Sequence, residues 1–383
     1  MTVFDDVSQG IVFKEDIWIS GYRIGSPSAH GKAKIEFEEG GGVKFTPRAG
    51  VETNFLISIP ALQIRKTPLR FPRQIIHPPY EKKSAISPAL HINTIAHSPS
   101  SPHLAIGGPD GYCIVLSTNE SSPPVSLSGH VGDVLNVKWF PSGQVVLTTS
   151  SDLSLRIFSS TTGVNPRVLK GHTRGITCSA ILGVGKQVLS GSKDGSVRLW
   201  DVSKGSEVGK WITRGGKSVE GLLVVRNTNE KEVIVAATQS GDLSLHPLAT
   251  PGEALATVES PISSTLVSIA YSASLGMIAT GHSNGVVVLR PLEAILAGES
   301  RTATKLVKRN ESPIYSVMFS DDALLVGTGA GLPCRLRVAR TAGEITVEVK
   351  EEYGGWEAVG IESWTEDLEG GVWCAGENEV KRY

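Results

Sequence analysis

The chain has 383 residues, 40% hydrophobic and 20% charged, with 37 Lys+Arg against 38 Asp+Glu for a formal net charge of −1. That composition supports a sizeable core and excludes an overall field that would draw in nucleic acid or anionic lipid. Apolar runs such as "LLVV" and "VIVAA" are too short to cross a bilayer. The four cysteines (Cys113, Cys178, Cys334, Cys374) form no Cys-x-x-Cys pair and argue against zinc. The acidic start "MTVFDDVSQG" lacks a basic run followed by an apolar one, so it is not a secretory signal. The expectation is a soluble protein of the cytoplasm or nucleus.

In chain order, residues 1–60 come first. "KAKIEFEE", "GGVKFTP" and "ETNFLISI" alternate around Gly-rich turns and predict a small antiparallel N-terminal β module. Residues 61–89 form a connection that contains "LQIRKTPLRFPRQIIH" and a Pro-rich surface stretch. From residue 90 to 383 the chain repeats itself. Gly129-His130 returns as Gly171-His172, 42 residues later, and Asp110-Gly111, Asp152-Leu153 and Asp194-Gly195 keep the same spacing. Short alternating runs cut by Gly/Pro/Ser/Asp clusters predict antiparallel strands.

The later units are fainter, with turn positions at Gly241, Gly285, Gly331 and Asn378. The steps from Gly111 onward are 42, 42, 46, 44, 46 and 47. Gly, or Asn as second choice, suits a tight turn that needs φ > 0. Leu153 breaks that rule, so its turn is expected to differ. Seven four-stranded units averaging 42 residues predict an all-β fold, a seven-bladed β-propeller closed into a ring. Aligning "EVKRY" with "SVRLW" makes Tyr383 the counterpart of Trp200. The last unit therefore lacks its outer strand, and the 62–77 segment is expected to supply it, removing an open edge.

The Gly-rich "SGSKDG" of residues 190–195 invites comparison with a phosphate loop. Such a loop needs a following helix whose N–H groups face the anion, and here a strand, "SVRLW", follows. It is a hairpin turn. In the WD-repeat pattern the His of Gly-His, a Ser/Thr, the turn Asp and the Trp form a hydrogen-bonded structural tetrad. Blade three holds the full set: His172, Ser190 or Ser192, Asp194 and Trp200. Blade two has His130 and Asp152 but Phe158, whose ring cannot donate. "WITRGGKS" lacks the first Gly of a nucleotide loop. His91, His97 and His103 lie on an extended run, and six strand residues span about 20 Å. No nucleophile elbow or carboxylate–His cluster appears. No catalytic residue, metal or cofactor is expected.

The rim carrying the loops into each first strand should display Asp110, Asp133, Glu220, Asp242, Glu311 and Glu357, with Tyr315 and Trp356 among them. Lys170, Arg174, Lys193 and Lys217 share that rim. Asp133, Glu220, Glu311, Tyr315, Trp356 and Glu357 are the candidate partner-binding residues, because an exposed Trp beside acids suits a protein-binding face. The opposite rim gathers Asp321, Asp322, Glu366, Asp367 and Glu369. Charge reversal at Asp321, Asp322 and Asp367 is expected to do little to binding.

"LSGHVGDVLNVKWFPSGQVVLTTSSDLSLRIFS", "LKGHTRGITCSAI…VLSGSKDGSVRLWD", the ending "WEAVGIESW…GENEVKRY" and the N-terminal "EDIWISGY" resemble the proteasomal ATPase-associated factor 1 family of WD-repeat proteins. The resemblance is strong over about 90–210, patchy over 210–340, and returns over 353–383. It implies a non-catalytic assembly chaperone of the 26S proteasome regulatory particle, monomeric when free. Its implied partner is the C-terminal domain of one ring AAA ATPase subunit, triple-A ATPase 6, whose docking on the core particle it would delay. Blades four to six have lost Trp-Asp (His246-Pro247, Arg290-Pro291). Another WD-repeat adaptor, such as a ubiquitin-ligase substrate receptor or histone-tail binder, is the alternative reading. A propeller enzyme is a third reading, and it would need a metal or carboxylate cluster at the central channel.

Overall fold

The computed structural model describes residues 14–21, 29–38, 42–47, 55–59, 64–82, 88–119, 122–227, 229–299, 304–308, 310–331, 333–341, 344–356 and 359–383. From Thr94 onward the strands form seven sheets, one per blade, antiparallel but for one added strand in each of blades three and six. Their innermost strands are Thr94–His97, Val134–Trp139, Ile176–Leu182, Val219–Arg226, Leu266–Ser272, Ile314–Ser320 and Ser363–Glu366. Each packs on the next, and the last returns to the first, so the ring closes. At that closure the Ile95 N–H donates to Ser363 Oγ at 3.1 Å and the His97 N–H to Thr365 Oγ1 at 2.9 Å.

The core is divided in the same way. Among the described residues seven apolar clusters form, each between two neighbouring blades. Between blades two and three, for example, Leu147, Leu155 and Ile157 meet Ile176, Val188 and Trp200. Because both faces of a blade are covered, the second strands lose the apolar/polar alternation. Met277–His282 and Ala323–Thr328 are buried at every position. The "VIVAA" run is such a strand, buried from Val233 to Ala237.

Glu379–Arg382 is the third strand of blade seven, and Gln74–Ile76 pairs with it antiparallel, Ile76 opposite Val380. The same connection reaches blade six: Ile64–Arg70 runs parallel to the end of Glu344–Tyr353, with Leu69 opposite Glu352. The preceding Phe55–Ile59 pairs with Ile64–Arg70. "ETNFLISI" therefore extends blade six and does not join the N-terminal sheet. That sheet consists of Lys14–Gly21, Ala29–Glu38 and Gly42–Pro47.

Two turn expectations are corrected. Leu153 has φ 68°, the same left-handed conformation as Gly111, Gly195, Gly241, Gly285 and Gly331 in the other blades. Its turn is the common one, carried by a side chain that favours it poorly. In blade seven the left-handed residue is Glu377, φ 46°, and not Asn378.

Blade four explains its longer spacing. After Leu243–Pro247 the chain crosses to blade three, where Gly252–Glu253 runs parallel to Trp211–Ile212. Trp211, fully buried, donates its indole N–H to the Pro247 and Thr250 carbonyls at 3.0 Å. In blade five the short helix Leu292–Leu296 fills the insertion before the outer strand and seats Leu292 and Ile295 in the core.

Candidate protein-binding face

In blade three the loop ahead of the inner strand brings His172 over the second and third strands. His172 Nδ1 lies 2.8 Å from Asp194 Oδ2 and its Nε2 2.7 Å from Ser190 Oγ. Trp200 Nε1 donates to the same Ser190 Oγ at 2.8 Å. Ser190 fills the tetrad, whereas Ser192 donates to the Arg174 carbonyl at 2.9 Å. Asp194 also accepts the Thr173 and Ser196 N–H groups and the Ser196 hydroxyl. Burial alone would raise its pKa, but the hydrogen bonds from His172, Ser196 and Thr173 outweigh that and hold the carboxyl well below the usual range.

Blade two repeats the arrangement with one member changed. His130 reaches Asp152 at 2.8 Å and Thr148 at 2.8 Å, while Phe158 offers no donor. Thr148 was missing from the sequence reading, although it stands four residues before Asp152 as Ser190 does before Asp194. Burial of His130, partly offset by its bond to Asp152, pushes its pKa down.

The other histidines stay apart. His91 faces Glu362 at 3.4 Å, His97 meets the Ser98 carbonyl and His103 the Ser101 hydroxyl. Among the described residues no group of three His, Cys, Asp or Glu side chains could hold a metal ion. All four cysteines are buried and unpaired with one another. "WITRGGKS" forms a turn at Arg214–Gly216 that leads into a strand.

The tetrads hold the loops of one rim, and the candidate contact residues distribute unevenly along it. Asp133 is exposed, with one carboxylate oxygen accepting the Asp110 N–H at 3.2 Å. Glu220 is half-buried and accepts the Ser218 hydroxyl at 2.6 Å. Glu311 is exposed but paired with Lys308 at 2.8 Å, as Asp242 is with Lys217 at 2.7 Å. Tyr315 is half-buried, its ring over Gly329 and Gly360. Trp356 corrects the expectation of an exposed aromatic: it is 8% exposed, packed with Tyr353, Trp364 and Tyr383, and Lys381 Nζ lies 4.3 Å from its ring centroid. Glu357 lies outside the described residues.

On the opposite rim Asp367 is a structural hub. Its carboxylate accepts Arg382 Nε at 2.6 Å, Trp373 Nε1 at 2.9 Å and the Glu369 and Gly371 N–H groups. The Ser320 hydroxyl donates to Glu366. Asp367 therefore stabilises blade seven, and reversing its charge would not be silent.

The ring and its two hydrogen-bonded repeats define a WD-repeat β-propeller, a fold class whose members mediate protein–protein interactions. The WD domain, G-beta repeat family matches residues 121–159 and 163–201, the segments that contain Phe158 and Trp200 next to their ends. Among curated relatives, guanine nucleotide-binding protein subunit beta-2 of Nicotiana tabacum is 33% identical over 136 residues, 32% of this chain and 36% of that protein. The 26S proteasome regulatory subunit RPN14 of Saccharomyces cerevisiae is 35% identical over 81 residues, 21% of this chain and 19% of its own length. The SIR4-interacting protein SIF2 of the same yeast is 32% identical over 110 residues, 29% of this chain and 20% of its own. The chain thus spans about a third or less of the length of these relatives.

Proposed function

We propose that this propeller is a non-catalytic assembly chaperone of the proteasome regulatory particle, working in the cytoplasm or nucleus as a monomer when free. It binds the C-terminal domain of a regulatory-particle AAA ATPase subunit, triple-A ATPase 6, and delays its docking on the core particle. The observation that carries this reading is the likeness of one segment to a proteasome regulatory subunit, added to the family resemblance of its repeats and ending. Non-catalytic use is supported by the commitment of both His–Asp pairs to structural hydrogen bonds, a full tetrad in blade three and an incomplete one in blade two.

The contact is polar: Asp133 and Glu220, with Glu311 and Tyr315 farther round the rim, meet a basic face of the ATPase domain. Opposed charges of this kind speed encounter and set specificity, and a salt-sensitive contact suits a client that must be released. A second reading, a different WD-repeat adaptor, is supported by the comparable likeness to SIF2 and to G-protein beta subunits.

Affinity purification of the tagged full chain from native lysate, read by mass spectrometry, tests the reading. Recovery of proteasome ATPase subunits, weakened about tenfold by joint Asp133→Lys and Glu220→Lys exchange at unchanged melting temperature, is expected. Recovery of other complexes without any ATPase subunit would favour the adaptor.

A further inference from the structure

The rim also carries a sector of opposite sign. Lys170, Arg174, Lys193 and Arg214 are all exposed over blades two to four. Lys217 is neutralised by Asp242, but none of these four forms an ion pair among the described residues. The carboxylates beside them, Asp152 and Asp194, are turned inward and saturated by their tetrads.

Backbone contacts hold the four cations side by side. Lys170 lies opposite Ser154 at the end of the blade-two sheet. The Lys193 N–H donates to the Gly175 carbonyl at 3.0 Å, which sets Lys193 beside Arg174. The Thr213 N–H donates to the Gly195 carbonyl at 3.0 Å, which seats the Arg214 turn against the Lys193 turn. Two apolar side chains adjoin them. Val131 is 84% exposed and Leu153 38%. Asp152 accepts the Val131 N–H at 3.2 Å and caps the turn that carries Leu153, so both are fixed in place.

We infer that this sector is a docking surface for an acidic peptide segment bearing apolar side chains, presented by a partner protein. The unpaired cations call for carboxylates, and charge complementarity of this sort sets orientation and encounter rate. Val131 and Leu153 call for aliphatic groups between those carboxylates. A nucleic acid strand fits less well. It has no use for the two aliphatic side chains, and Asp133, in the same loop as Val131, and Asp110, whose N–H donates to it, repel an extended polyanion. This surface borders the acids invoked for the ATPase contact but uses different side chains.

The test uses the purified full chain and a short fluorescein-labelled peptide of Glu and Asp with interspersed Leu, read by fluorescence anisotropy. Saturable binding is expected, weakened about tenfold by Arg174→Glu with Lys193→Glu and unchanged by Lys204→Glu on the far side of blade three. Replacing the Leu residues of the peptide by Ser should also weaken it. Should the double exchange disturb folding, Arg214→Glu alone, on an exposed turn outside the tetrads, reads the same effect. Because no proteasome component is present, failure here leaves the chaperone proposal standing, and the reverse holds too. Absence of saturable binding, affinity indifferent to these exchanges in a folded protein, or equally tight binding of a single-stranded oligonucleotide would each overturn the inference.

Discussion

The Trp200 indole and the Ser190 hydroxyl meet at 2.8 Å inside blade three. At the matching place in blade two, Phe158 stands beside Thr148, whose hydroxyl turns to the Arg156 carbonyl at 3.3 Å. One blade therefore has a donor that the other replaces by strand contacts. Trp200→Phe should cost about 1–2 kcal/mol by removing a buried hydrogen bond and part of the packing. Urea denaturation of the single variant measures this, and an unchanged midpoint would show that the bond contributes nothing net.

Asp194→Ala leaves the His172 and Ser196 donors without their acceptor, at a cost of about 1–3 kcal/mol. The carboxylate's pKa is depressed in the folded chain. Its stabilisation is therefore present above the unfolded value of about 3.9 and lost as pH falls through the folded value. Asp194→Asn should flatten the stability profile below about pH 4 and leave the slope above it unaltered. Thermal melts between neutral and strongly acidic pH decide this.

His282 works in a higher window. It is buried, with Nδ1 3.4 Å from the Ser264 carbonyl and Nε2 3.0 Å from Thr280 Oγ1, and burial is the main cause that lowers its pKa to about 4. The unfolded chain takes up this proton below about pH 6.5 while the folded one does not, so stability should fall on acidification from there to about pH 4. His282→Asn should remove about 3 kcal/mol of that pH dependence. Denaturant midpoints on either side of the window give the comparison.

Leu153 and Gly195 share a turn geometry with φ 68° and 79° but differ in surroundings. Leu153→Gly should stabilise by about 0.5–1 kcal/mol, because relief of the left-handed strain exceeds the added freedom of the unfolded chain. Gly195→Ala should destabilise, since a Cβ there would sit 2.4 Å from the Gly216 carbonyl oxygen. Opposite shifts of melting temperature are expected, and shifts of the same sign would refute the strain argument.

Removing residues 1–80 deletes Gln74–Ile76 from blade seven and Ile64–Arg70 from blade six. Two sheet edges open together, so the remaining fragment should aggregate or lose its cooperative transition. A soluble 81–383 fragment that melts in one step would show that the ring does not need this strand.

The repeat spacing by itself determined the seven blades, the His–Asp pairs and the origin of the closing strand, while the choice of Ser190 over Ser192 came from the structure. Each of the first three depends on local periodicity or on a hairpin turn, and both are written in adjacent residues. The tertiary structure decided what depends on neighbours distant in the chain. Trp356 was expected at the surface because its segment leads into a first strand on the rim, yet Tyr353, Trp364 and Tyr383 cover it. Asp367 was grouped with solvated acids, yet Trp373 and Arg382 converge on it from two other strands. Leu153 was expected to alter its turn, but the blade-two hairpin imposes the left-handed conformation on whatever residue stands there. The rim charges were legible as a mixture, but their division into paired acids and an unpaired basic arc was not. Lys217 meets Asp242 only because the blade-four hairpin brings a turn 25 residues away back to the entry loop, whereas Lys308 and Glu311 are near neighbours in the chain.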